Sequence, residues 1–96
     1  MNSHLSRAER IENTLRGQFS VDALSIVDDS SRHAGHAGAR PEGETHYRLR
    51  LVSSAFEGLA RVARQRLVYQ ALQAEFDSGL HALSLDLKTP VEAGAA

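Results

Sequence analysis

The clearest pattern in the chain lies between residues 45 and 53, where apolar and polar positions alternate one by one. Tyr47, Leu49 and Leu51 fall on one side, and His46, Arg48 and Arg50 on the other. A period of two marks a strand with one buried and one wet face. A second, shorter alternation covers 22–28, with Leu24 and Ile26 inward. A third covers 81–87 and places His81, Leu83, Leu85 and Leu87 in one row. Elsewhere the period becomes helical. Ala8, Ile11 and Leu15 recur at threes and fours behind Ser6 and Glu9, the spacing of a capping box, and Gly17 stands where a helix commonly stops. These signals predict a first helix over about 6–16. Leu67, Val68, Ala71, Leu72, Glu75 and Phe76 predict a long helix over 59–76, ended by Asp77-Ser-Gly79.

Two internal stretches fit neither period. Residues 53–58 read as a turn or short helical piece with Gly58 as its hinge. Residues 30–43 are punctuated too densely by Gly35, Gly38, Pro41 and Gly43 for regular structure, and they carry His33 and His36. A loop of this length inside a small domain is usually functional or disordered, and its histidines favour function. Residues 1–5 are expected to fray, and 90–96 to form a flexible tail beyond Pro90, leaving one domain over 6–89.

The order is α-β-β-α-β. Two consecutive strands joined by one loop are most simply antiparallel, and a helical crossover to the third makes it parallel to the second. The expected fold is a small α+β domain, a three-stranded mixed sheet with helices on one face. The topology has a chemical corollary. If the second and third strands are parallel, both start at the same end of the sheet, so His81 lies beside the end of the histidine loop. Its row predicts that it caps the core at that rim.

Composition narrows the classes. Ninety-six residues allow one modest core. No apolar run approaches the length that crosses a bilayer, and the first ten residues lack an apolar signal segment, so a cytoplasmic location away from membranes is expected. The formal net charge is −1, so nucleic-acid binding would need a local patch. Arg61, Arg64 and Arg66, on the exposed side of the long helix with no acid among them, are the candidate patch for phosphates or an acidic surface; the alternative is a solvated helix face. A Gly-x-x-Gly loop between helices, which one class of RNA-binding domain needs, is absent from Phe56-Glu-Gly-Leu-Ala. No base–nucleophile constellation is evident, since Ser30, Ser31 and His33 are only neighbours in a loop, so the chain is not expected to be an enzyme.

There is no cysteine, so there is no disulfide and no iron–sulfur or zinc site built on the chain's own thiolates. Of the five histidines, His81, His33 and His36 are the candidates; His46 reads as an exposed rim residue and His4 as part of a frayed end. Structural zinc usually takes four protein ligands, thiolates prominent among them, which argues against such a site on this chain alone.

Five blocks resemble the BolA family in order and spacing: Asp-Asp-Ser-Ser-Arg-His, Gly-Glu-Thr-His-Tyr-Arg-Leu, Val-Ser-Ser-Ala-Phe-Glu-Gly, Arg-Gln-Arg-Leu-Val-Tyr and Leu-His-Ala-Leu-Ser-Leu. The likeness spans about residues 6–91. It implies a fold related to one type of KH domain. It also implies partnership with a monothiol glutaredoxin and its glutathione, and a [2Fe–2S] cluster shared with that partner, in cluster trafficking or iron regulation. By the same resemblance His81 matches the family's nearly invariant histidine, and His33 its variable loop ligand, with His36 close enough to compete. Many members carry Arg-His-Arg in the long helix where this chain has Arg64-Gln65-Arg66. The alternative reading is a transcriptional regulator that binds DNA weakly through the basic helix. Alone, the chain is expected to be a monomer or weak homodimer without a cofactor.

Overall fold

The computed structural model describes residues 5–29 and 45–94. The loop expected at 30–43, with His33 and His36, lies outside the described residues, as does His4. The elements are α1 (Arg7–Gln18), β1 (Val21–Asp28), β2 (His46–Ser53), a 3₁₀ turn (Ser54–Phe56), α2 (Arg61–Ala71), α3 (Gln73–Asp77), β3 (Ala82–Lys88) and α4 (Pro90–Gly94).

The sheet has the expected order and senses. β1 pairs antiparallel with β2, which sets Leu24 opposite Leu51 and Ile26 opposite Leu49. β2 pairs parallel with β3, which aligns Tyr47, Leu49 and Leu51 with Leu83, Leu85 and Leu87. Those rows form the inner face of the sheet. Ile11 and Leu15 of α1 and Val68 of α2 close over it, with Leu72 and Phe56, and all are essentially without exposure. Each such side chain contributes roughly 1.5–3 kcal/mol by leaving water. Arg48 and Arg50 remain on the wet face, so the alternation of β2 is expressed as read.

The capping box forms as expected: Ser6 Oγ accepts from the Glu9 amide, and Glu9 Oε1 accepts from the Ser6 amide. The helix does not stop at Gly17, however. It runs to Gln18 and is capped at Phe19, whose amide donates to the Leu15 carbonyl at 2.9 Å. Phe19 leaves the helix to meet Phe56, with ring centres 5.6 Å apart, so tertiary packing and not the glycine sets the end. At the other turn Gly58 does have the conformation its type favours, with φ of 77°.

The long helix expected over 59–76 is two helices, broken at Leu72. The break keeps Leu72 in the core and turns Glu75 toward α1. Arg7 Nη1 donates to Glu75 Oε1 at 2.8 Å, and Arg10 Nε donates to Glu75 Oε2 at 3.0 Å. Arg7 also donates to the Glu75 carbonyl, the Ser78 hydroxyl and the Ser78 carbonyl. A buried ion pair thus fastens the turn from which β3 starts.

The expected flexible tail is also corrected, because residues 90–94 form α4. Thr89 Oγ1 accepts from the Glu92 amide while Glu92 Oε1 accepts from the Thr89 amide, a second capping box. Glu92 then takes two hydrogen bonds from Arg64, at 2.6 and 3.1 Å. Thr89-Pro90-Val91-Glu92 carries this signal openly: an N-cap threonine, proline in the first turn and glutamate three residues on.

Candidate metal centre at the sheet rim

One end of the sheet gathers the chemistry. The Asp29 amide, leaving β1, donates to the His46 carbonyl at 2.7 Å, so the residues that flank the undescribed loop are tied together. Thr45, only 1 % exposed, is the hub of this rim. Its carbonyl accepts from the amides of both His81 and Ala82, at 2.9 and 3.1 Å. Its hydroxyl and His46 Nδ1 share a hydrogen bond of 2.8 Å. The argued proximity of His81 to the ends of the loop therefore holds among the described residues.

The orientation of His81 differs from expectation. It does not cap the core; it is exposed, and Leu80 occupies the buried position beside it. Two consecutive amides converging on the Thr45 carbonyl interrupt the alternation at residue 81, so its parity cannot be read back from Leu83. An exposed imidazole at a rigid strand start suits ligation better than a buried one would.

For His46, expected as an exposed rim residue, the structure differs too. It is half-buried, and its ring meets that of His81 edge to face, with centres 5.9 Å apart and planes at 81°. Parallel register places His46 beside Ala82, one residue from His81. The signal was available in the sequence, since His46 and His81 begin the two strands argued to be parallel. Their opposite apparent parity hid it.

The arginine face is less free than its sequence implies. Arg61 and Arg66 are exposed, and neither makes an ion pair among the described residues. Arg64 is not available: its side chain is 12 % exposed, bonded to Glu92 and donating to the carbonyls of Leu59 and Leu87. The Arg64 hydrogen bond, followed by that of the Thr89 amide, holds the Glu92 carboxyl down at about 2. The acid missing from the helix itself thus arrives from α4. A groove of about 480 Å³ runs between α2 and β3, lined by Arg61, Arg64, Gln65, Asp86, Lys88 and Glu92, with both signs of charge.

Among the described residues no cluster of three or more histidine, aspartate or glutamate side chains could hold a metal ion by itself, and no helix is long and apolar enough to cross a membrane.

Comparison with known proteins agrees with this architecture. Residues 15–92 match the family model described as BolA-like protein. SufE-like protein 1, chloroplastic/mitochondrial, of Arabidopsis thaliana is 48 % identical over 91 residues, which cover 91 % of this chain and 24 % of that protein. UV-induced protein uvi31 of Schizosaccharomyces pombe is 45 % identical over 92 residues, 92 % of this chain and 90 % of the relative. The chain thus spans about a quarter of the first relative's length and nearly all of the second's. The solved BolA domain of SufE1 from Arabidopsis thaliana superposes with a TM-score of 0.82 at 47 % identity, covering 94 % of this chain and 99 % of that domain.

Proposed function

This chain belongs to the BolA-like family, and we propose that it is an interaction protein that pairs with a monothiol glutaredoxin and receives or passes a [2Fe–2S] cluster as shared cargo. His81 is one ligand in this reading, and a loop histidine, His33 or His36, is the second. The observation that carries it is the exposed His81, whose backbone amide donates to the Thr45 carbonyl at the rim beside the residues that flank the loop.

The donor set fits the cargo in kind. With no cysteine in the sequence, the chain offers the cluster no thiolate, and imidazole nitrogen is the donor it brings. Imidazole can replace thiolate on one iron of a [2Fe–2S] cluster and raises its potential. The thiolates then come from the partner and its glutathione. Such an arrangement needs no active site, and the reading is of a binding protein, not an enzyme.

The test is reconstitution. Mixing the chain with a monothiol glutaredoxin, glutathione, iron and sulfide should give a heterocomplex whose visible absorption and circular dichroism differ from those of the glutaredoxin alone. His33→Ala should alter that spectrum mildly, because His36 lies three residues away. Failure to form a heterocomplex with or without cluster would overturn the reading.

A second reading, a DNA-binding regulator, keeps one favourable observation: the exposed Arg61 and Arg66 on α2. It has lost Arg64 to Glu92, which leaves two separated cations where three were expected.

A further inference from the structure

We infer that the groove between α2 and the free edge of β3 receives an extended, acidic segment of a partner protein, which adds to the sheet as a fourth strand. Neither His81 nor a cluster enters, so the inference is independent of the proposed function.

The edge comes first. β3 is the last strand of the sheet and is paired on one side only, with β2. The Ala82 amide points inward, to the Thr45 carbonyl. Backbone groups alternate in direction along a strand, so those of Leu83, Leu85 and Leu87 point outward. Two side-chain contacts agree. Tyr69 Oη donates to the Leu83 carbonyl at 3.3 Å, and Arg64 Nη1 donates to the Leu87 carbonyl at 3.2 Å. Between these props the amide and carbonyl of Leu85 and the amide of Leu87 have no hydrogen-bond partner among the described residues. An edge left open in this way is a template for another strand, whose main chain gives affinity and whose alternate side chains give specificity. The groove of about 480 Å³ follows this stretch, with Leu85 and Leu87 in its wall.

Charge selects the occupant. The wall holds three cations, Arg61, Arg64 and Lys88, against two acids, Asp86 and Glu92. Glu92 satisfies Arg64 at 2.6 Å, and Lys88 stands 3.6 Å from Asp86. Arg61 is exposed and makes no ion pair among the described residues. It is therefore the unfilled carboxylate site, while Arg64 and Glu92 make the same two-bond recognition within the chain. Side chains of an added strand alternate between its faces, so acids at every second position would share the face that meets Arg61. Nucleic acid fits less well, because its phosphates would lie against Asp86 and Glu92. The alternating donors and acceptors of a strand edge match another polypeptide backbone instead.

The probe is a fluorescein-labelled octapeptide of alternating valine and glutamate, titrated at low salt into the unaltered chain. Fluorescence anisotropy should show saturable binding, and the Leu85 and Leu87 amide resonances should move with it. Glutamine in place of the peptide's glutamates, or Arg61→Glu in the chain, should each weaken binding about fivefold, the upper end for an exposed ion pair. Glu92→Gln, which frees Arg64, should tighten it about threefold. Two further peptides, N-methylated at the odd or at the even backbone nitrogens, separate strand addition from charge attraction. Only one of those sets faces β3, so one peptide should bind about tenfold more weakly than the other. Absence of binding, equal affinity of the two N-methylated peptides, or indifference to Arg61→Glu would overturn the inference. So would a thymidine oligonucleotide that moves the Leu85 and Leu87 amides where the peptide does not. Glutaredoxin is absent throughout, so a negative result here leaves the cluster-sharing reading standing, and a failed heterocomplex leaves this groove standing.

Discussion

Glu75→Ala should be among the most damaging single changes to this fold, although Glu75 is not a member of the apolar core. The carboxylate is held between Arg7 and Arg10, and the Arg7 and Glu75 side chains are 10 % and 9 % exposed. Removing the acid takes from the buried Arg7 guanidinium the carboxylate it bonds at 2.8 Å, and breaking a buried pair in this way costs about 3–5 kcal/mol. Arg10 is 40 % exposed and lets water reach the edge of the cluster, so the low end, about 3 kcal/mol, applies. For a domain of this size each kcal/mol lowers Tm by roughly 4–8 °C, so the expected fall is roughly 12–24 °C. Arg7→Ala should cost less, about 2 kcal/mol, because Glu75 keeps Arg10. Replacing both Arg7 and Glu75 with leucine should be less harmful than Glu75→Ala alone, since apolar isosteres of a buried pair are often neutral. Thermal unfolding followed by far-ultraviolet circular dichroism measures all three. A Glu75→Ala shift under about 3 °C, or a double variant worse than Glu75→Ala, would refute the reasoning.

Other perturbations separate other parts of the account. Phe56→Ala removes a fully buried ring from beneath the 3₁₀ turn and should cost about 3–5 kcal/mol in urea unfolding; a loss under about 1 kcal/mol would deny that the turn is packed. The Glu92 carboxyl lies below its unfolded value, so its contribution is present above the ordinary carboxylate range and lost as pH falls from about 4.5 toward 2. The Thr89 amide resonance should follow that titration as α4 comes loose, and a Glu92 midpoint near 4.5 would contradict the clamp. Charge reversal of Arg61 and Arg66 should weaken any salt-sensitive DNA binding, whereas Arg64→Gln alone should change it little; the opposite ranking would restore Arg64 to the binding face.

The sheet was readable because its signal is strictly local. Tyr47, Leu49 and Leu51 alternate, a one-residue slip would expose all three, and chain order then fixes strand senses. What escaped reading depended on partners distant in sequence. Gly17 offered a helix stop, yet Phe19 prevailed through its contact with Phe56. The continuous pattern of 59–76 concealed a break whose reason, the hold of Arg7 and Arg10 on Glu75, lies 65 to 68 residues away. Arg64 looked unpaired because Glu92 belongs to another helix. The α4 capping box is different: it lies in four adjacent residues, and proline serves equally as the end of an ordered segment and as the first residue of a helix. At the rim, topology correctly brought His81 to the loop's flanks, but parity misjudged both its exposure and its nearness to His46.

The most direct test of the central claim is pulsed electron paramagnetic resonance of the reduced heterocomplex with a monothiol glutaredoxin, using this chain labelled with ¹⁵N only in histidine. Two histidine ¹⁵N couplings to the cluster are expected in the unaltered chain. One of them should be lost in His81→Ala, with the fold retained because His81 lies exposed at the rim. Couplings unchanged by His81→Ala, or no histidine coupling at all in a formed heterocomplex, would contradict ligation by His81.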